Sequence, residues 1–197
     1  MTAGNGELTS AAKAAEQALR GLVRAAPGLT VLTGGQTGVD TYAALAALQA
    51  RLTVHLVFPA GYRQEDGSLT PARHRRFAGA ILHELPSASF RYRTWTCAYL
   101  ADAVLLLDPA GGSGCQETVR ASTHLGRPLL VFRSAAVTAD HAAEFLASAH
   151  ARVFMVAGCR ASVLASKGKG RGLRTDLAGV MAGARHYHDE LIAAAGN

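Results

Sequence analysis

The sequence predicts an α/β fold, a mainly parallel sheet with helices on both faces. Short apolar runs alternate with longer Ala-rich amphipathic stretches, the rhythm of β-α units and parallel pairing. Glycine clusters fall just after three of those runs. The 197 residues are 49% hydrophobic and 17% charged, enough apolar material for a buried core in one domain and too much for a disordered chain.

The elements follow in order. Ser10–Ala25 reads as a helix, capped by Thr9 or Ser10 and stopped by Pro27-Gly28. Leu29–Thr33 reads as a strand and Val39–Arg51 as a helix. Leu52–Phe58 is a strand with β-branched residues, followed by a polar, turn-rich loop through Leu69. Pro71 is placed to open a short helix. Ala80–Leu85 is a strand, Arg91–Leu100 a helix, and Ala103–Asp108 the clearest buried strand. After a Gly loop come a helix at Cys115–Leu125, a strand at Pro128–Arg133, a helix near Ala139–His150 and a last strand at Arg152–Ala157. A basic Gly loop, Ser166–Arg174, leads into a closing helix, Asp176–Ala195. The whole is expected to be one Rossmann-like domain over residues 1–197. Its core is 29–162, flanked by an N-terminal helix at 10–25 and a C-terminal helix at 176–195.

Composition excludes several function classes. No apolar stretch is long enough to span a bilayer, and the N-terminus lacks a basic start followed by an apolar core. Three scattered cysteines without a Cys-x-x-Cys pair argue against a disulfide scaffold or a cysteine zinc site, and for a cytoplasmic location. The eight histidines are dispersed, so no metal is expected. The net charge of +6 comes mostly from arginine, which suits phosphate or carboxylate ligands. The basic residues are spread over loops and aromatics are 6%, with no basic stripe or stacking ladder, so nucleic acid is not the expected partner.

The positions of the glycines carry more than their number. Gly34-Gly35-Gln36-Thr37-Gly38 follows the first strand, Gly111-Gly112-Ser113-Gly114 follows the buried strand, and Gly158 follows the last. In an open parallel sheet the ligand sits beyond the carboxyl ends of the strands. Glycine lets backbone approach it, and a helix starting just beyond aims free N–H groups at an anion. Neither loop has the lysine of a Gly-x-x-x-x-Gly-Lys phosphate loop, nor the Gly-x-Gly-x-x-Gly spacing with an acidic partner, so a kinase and a plain NAD dehydrogenase are disfavoured. Gln36 and Thr37 read as ligand contacts or helix caps; Asp40 as a ribose contact or a complement to the helix dipole. Arg63, Glu65 and Asp66 lie in a long loop, where a carboxylate can hold a hydroxyl or polarise water. Arg91 and Arg93 at a helix start oppose the dipole, which a local anion would explain. Cys115 reads as small-residue packing at a helix start.

Four strings make the reading more specific. They are Val31-Leu-Thr-Gly-Gly-Gln-Thr-Gly-Val-Asp40, Ala60-Gly-Tyr-Arg-Gln-Glu-Asp-Gly67, Ser89-Phe-Arg-Tyr-Arg-Thr94 and Asp102-Ala-Val-Leu-Leu-Leu107. In this order they closely resemble the family of proposed molybdenum-cofactor carriers, within the wider Rossmann-like group that contains the Lonely Guy phosphoribohydrolases. The resemblance continues through Gly112-Ser113, Leu125-Gly-Arg-Pro128 and Val156-Ala-Gly-Cys-Arg160. It implies a compact α/β subunit assembling into dimers or tetramers and binding molybdenum cofactor, a phosphorylated pterin. The related hydrolases carry Pro-Gly-Gly-x-Gly-Thr-x-x-Glu. Here Pro109-Ala-Gly-Gly-Ser-Gly-Cys-Gln-Glu117 keeps the Gly core, has Cys115 for Thr, and brings its Glu one position early, with Thr118 in the usual place.

The expected function is binding of a phosphorylated nucleotide-like or pterin ligand, with molybdenum cofactor as a possible ligand and no cofactor needed for chemistry. Gly34, Gly35, Gln36, Thr37, Gly38, Asp40, Arg63, Glu65, Arg93, Gly111, Gly112, Ser113, Gly114, Thr118 and Arg160 form the expected binding set. The alternative is N-glycosidic cleavage of a nucleoside 5′-monophosphate, with Glu117 stabilising an oxocarbenium-like transition state and Asp66 or Glu117 orienting water. The expected partners are a small phosphorylated ligand and further copies of the chain, without a membrane.

Overall fold

A computed structural model describes residues 10–26, 28–108, 111–132, 138–167 and 173–195. The Thr9 cap, Pro27 and residues 168–172 of the basic loop lie outside them.

Six strands form one parallel sheet. They are β1 (Thr30–Thr33), β2 (Thr53–Phe58), β5 (Ile81–Glu84), β6 (Ala103–Leu107), β7 (Leu129–Phe132) and β8 (Val153–Gly158). Their order is β5-β2-β1-β8-β6-β7, every pair parallel. The strands between the two edges are buried on both faces and mostly apolar, as a sheet covered on both sides requires. A small antiparallel hairpin, β3 (Arg63–Gln64) with β4 (Gly67–Ser68), stands where sequence reasoning expects only a loop. It is too short for a period-2 pattern to be visible.

Helices α1 (Ser10–Arg24), α2 (Val39–Gln49), α4 (Phe90–Leu100), α5 (Ser113–His124) and α6 (Ala139–Ser148) agree with the sequence reading to within two residues at each end. The short α3 (Pro71–His74) begins at the proline and runs into a 3₁₀ turn, Arg75–Phe77. Helix α7 (Ala161–Ser166) was not expected, and α8 (Leu173–Ala195) starts three residues earlier than expected. Helices α2, α6 and α8 pack together on one face of the sheet, with α1, α4 and α5 associated on the other. The α6–α8 crossing is close because Gly183 lies there; a Cβ would stand 1.9 Å from the Ala139 carbonyl oxygen. The long α8 is tied to the first strand's approach, where the Leu29 N–H donates to His188 Nδ1 at 3.0 Å. Asp102 accepts from the N–H groups of Arg152 and Val153 and pairs with Arg24, joining α1 to the bottom of the sheet. None of the described helices is long and apolar enough to cross a membrane.

One polar pair lies inside this scaffold. His55 on β2 and His83 on β5 stack with ring centroids 5.0 Å apart, and His55 Nδ1 lies 2.8 Å from His83 Nε2. Burial, with His83 alongside, lowers the pKa of His55 to about 4; burial lowers that of His83 too. The unfolded chain takes up a proton at His55 near pH 6.5 and the folded chain only near pH 4, so acidification through that window favours unfolding. We expect stability to fall by up to about 1.4 kcal/mol per pH unit between pH 6.5 and 4. Denaturant melts across this range should show a shallower fall for His55→Gln. An equal slope in the variant would remove the pair from the account.

Candidate functional site

The carboxyl ends of β1, β8 and β6 meet at the point where the strand order reverses, the place an open parallel sheet leaves a crevice. A cleft of about 300 Å³ opens there. Its walls come from the loop after β1, the start of α4, the start of α5, and the loop from β8 into α7.

The loop after β1 is held from inside. Asp40 and Arg93 form a buried ion pair, Nη1 to Oδ2 3.0 Å, with side chains 5% and 8% exposed. Asp40 also accepts from the Gln36 N–H at 3.2 Å. Burial pushes its carboxyl up, and Arg93, the Gln36 N–H and Arg160 oppose that. Since arginine keeps its proton, the ionised carboxylate is the state that satisfies the pair. The guanidinium reaches Asp40 only because residue 34 is glycine: a Cβ there would lie 1.0 Å from Arg93 Nη1. Gly38, at φ 84°, lies against the β8–α7 turn, where a Cβ would meet the Cys159 oxygen at 2.5 Å. These glycines make room for protein.

The hairpin then locks onto the same loop. Gln36 Oε1 accepts from the N–H groups of Thr37 (3.0 Å) and Glu65 (2.7 Å), and Gln64 Nε2 donates to the Gly35 oxygen at 2.6 Å. The Glu65 carboxylate accepts from Thr37 Oγ1, from Ser162 Oγ and from the Ser162 N–H. Burial works to raise its pKa, but the hydroxyl and N–H bonds outweigh it and hold the carboxyl low. Two motifs that read as separate ligand contacts are in fact bonded to each other and to α7. The Gln36 amide, fixed at its oxygen end, leaves Nε2 buried without a protein partner in a residue that lines the cleft.

The opposite wall is open. Gly112 caps α5 without a side-chain bond, and the first turn of α5 carries no acidic residue. Its first N–H groups therefore lack intrahelical partners. Nothing lies within 4 Å of a Cβ placed on Gly114. Arg160 lines the cleft, stacks on Phe90 with its guanidinium carbon 5.4 Å from the ring centroid, and forms no ion pair among the described residues. Arg63 lies over the same ring at 5.6 Å. Glu117, 15% exposed, also lines the cleft and accepts from Trp95 Nε1 (2.6 Å) and Arg91 Nε (2.9 Å), with Arg120 at 3.4 Å. The Trp95 bond, then the arginines, hold its carboxyl below the usual range against partial burial.

Of the residues expected from sequence, Gln36, Asp40, Arg93, Gly112, Ser113, Gly114, Glu117, Thr118 and Arg160 line the cleft. Gly34, Gly35, Thr37, Gly38, Arg63, Glu65 and Gly111 stand behind it or beside it. Asp66 is turned to Arg73 at 2.8 Å, on the exposed side of the hairpin. Sequence reasoning missed Phe90 and Ser162; Ser89, which accepts from the Tyr92 N–H as the cap of α4, marks the earlier helix start that exposes Phe90. Cysteines that are scattered in sequence also meet here. Cys115 Sγ lies 3.6 Å from Cys159 Sγ, which lies 3.3 Å from Asp108 Oδ1. Contact with Cys159, then burial and Asp108, push the Cys115 thiol pKa far up.

Residues 31–169 match the family described as circularly permuted YpsA SLOG. The crystal structure of a proposed molybdenum carrier protein from Syntrophus aciditrophicus SB matches with a TM-score of 0.64 and 22% identity. The match covers 79% of this chain and 96% of that one, a likeness of fold. No curated protein matches the chain.

Removing one partner of a buried ion pair leaves a charge without compensation, at a cost of about 3–5 kcal/mol. Arg93→Met should lower the unfolding free energy by that amount in a denaturant titration, and Asp40→Asn added to it should cost much less than it does alone. A loss below about 1 kcal/mol for Arg93→Met would show that the pair does not hold the loop.

Proposed function

Since the chain belongs to the circularly permuted YpsA SLOG family, we propose that it binds a small phosphorylated ligand, nucleotide-like or pterin, in the cleft at the carboxyl ends of β1, β8 and β6. The observation that carries this is the convergence of donors left without partners. The N–H groups opening α5 and the Arg160 guanidinium belong to two separate wall segments that line one space, and the Gln36 amide NH₂ lies buried without a protein partner in a lining residue of a third. The first two favour an anion, and the third a neutral acceptor further along the ligand. The volume of about 300 Å³ is at the small end for an organic ligand. It suits a phosphate end held inside and a ring reaching toward the rim. The motif resemblance to molybdenum-cofactor carriers, with the fold likeness to a proposed molybdenum carrier protein, makes a pterin phosphate one candidate cargo. In this chain Gly112–Gly114 and Arg160 would hold its phosphate.

A second reading, N-glycosidic cleavage of a nucleoside 5′-monophosphate, has Glu117 behind it. An ionised carboxylate in the cleft wall is what an oxocarbenium-like transition state needs. Against it, Arg91 and Arg120 already neutralise that carboxylate. Binding without turnover is therefore the preferred reading.

Thermal shift and titration calorimetry against paired phosphorylated and dephosphorylated nucleosides and pterins test the proposal. We expect the phosphorylated member of a pair to stabilise the chain. Arg160→Ala should weaken its affinity about ten- to a hundredfold, the loss of a charge-assisted bond. Stabilisation by neither member, or an unaltered Arg160→Ala, would overturn the reading. Free base released from a monophosphate, and lost in Glu117→Gln, would establish the hydrolase instead.

A further inference from the structure

The cleft wall contains a second cluster that phosphate binding does not use. Asp108 follows β6, Cys115 lies in the first turn of α5, and Cys159 follows β8. One ligand atom from each lies within 4.8 Å of the other two. Both cysteines are buried, carry no disulfide and line the cleft.

The spacing suits a tetrahedral dication. A Zn–S bond of about 2.3 Å and a tetrahedral angle put two thiolate sulfurs about 3.8 Å apart; a Zn–O bond of about 2.0 Å puts sulfur and oxygen about 3.5 Å apart. Here the two sulfurs lie 3.6 Å apart and Cys159 Sγ lies 3.3 Å from Asp108 Oδ1, with Cys115 Sγ and the Asp108 carboxylate within 4.8 Å. The donor set, two sulfurs and one carboxylate oxygen, is of the mixed soft and hard kind that zinc(II) takes. The carboxylate is oriented in advance: the Gly111 N–H donates to Asp108 Oδ1 at 2.9 Å, as an outer partner fixes a ligand. A disulfide would need the sulfurs about 1.5 Å closer than they stand.

We propose that Asp108, Cys115 and Cys159 form a zinc(II)-binding site in the cleft wall, with the fourth position left for water or for a donor atom of a cleft ligand. Binding converts both thiols to thiolates: two S–H bonds break, two metal–sulfur bonds form, and two protons pass to solvent. No oxidant or reductant is involved. The site does not depend on the proposed phosphate ligand, and its test contains none.

Cobalt(II) serves as the spectroscopic probe, added to the 197-residue chain after reduction and removal of the reductant. The expected result is one equivalent of cobalt bound, with thiolate-to-cobalt charge-transfer absorption and the intense visible bands of a tetrahedral site, all displaced by one equivalent of zinc. Cys115→Ser and Cys159→Ser should abolish the charge-transfer band, Cys97→Ser should keep it, and Asp108→Asn should weaken zinc binding at least tenfold. Circular dichroism establishes that each variant is folded. If a serine variant fails to fold, the wild-type spectrum and stoichiometry decide alone. Reduced, folded wild type that gives no charge-transfer band overturns the site. So does a band that survives Cys115→Ser, or a Cys115–Cys159 disulfide forming in air in chain that takes up no metal.

Discussion

The buried Asp40–Arg93 pair is the constraint on which the cleft depends. It joins the start of α2 to the start of α4, two helices associated with opposite faces of the sheet, through the end of β1. Nothing but glycine at position 34 leaves the guanidinium its path. A pair like this adds little net stability compared with a well-packed apolar substitute, because both charges are desolvated. What it contributes is position: each charge is costly anywhere but opposite the other, so the two helix starts hold one spacing.

Around that pair, polar side chains are mostly turned on each other. Gln36 holds the hairpin, Glu65 holds Thr37 and Ser162, and Gln64 holds Gly35. This bonding makes the β1 wall of the cleft rigid and leaves few of its groups for a ligand. The α5 wall is the reverse, an uncapped helix start beside glycines with open space in front of them. One wall supplies shape and the other supplies donors. The glycine-rich strings of the two walls look alike in sequence, yet glycine is needed in the first because protein fills the space and suits the second because nothing does.

That difference marks the limit of what the sequence made legible. Apolar runs and glycine positions were enough for the strands of the main sheet, the larger helices and the end of the sheet that carries the cleft, since these depend on local pattern. The strand order was not legible. That β8 inserts between β1 and β6 depends on non-local pairing, which no periodicity records. Everything that follows from it was hidden as well: Arg160 on Phe90, Ser162 on Glu65, and Cys159 beside Cys115. The hairpin and α7 were too short to show a period at all. Glu117 shows a different limit. Its one-residue offset from the hydrolase pattern was visible, but the Trp95 bond that decides where its carboxylate rests was not.

The insertion of β8 also explains why chemistry concentrates at this point. The strand beside β1 in the middle of the sheet is the last of the described strands, so the cleft is closed by the C-terminal part of the matched region. Cleft residues run from Gln36 to Val163, and segments near the two ends of that span meet, the Val39 N–H donating to the Cys159 oxygen at 3.1 Å. Such contacts carry a large loop-closure entropy and form only when the sheet is complete. A ligand or metal bridging α5 and the β8–α7 turn would therefore bind the native state in preference to the unfolded chain. Its binding free energy adds to the stability of the β8 insertion by mass action. In this topology the cleft and the final strand pairing share the same residues, so a ligand bound in the cleft would also stabilise the pairing of β8 with β1.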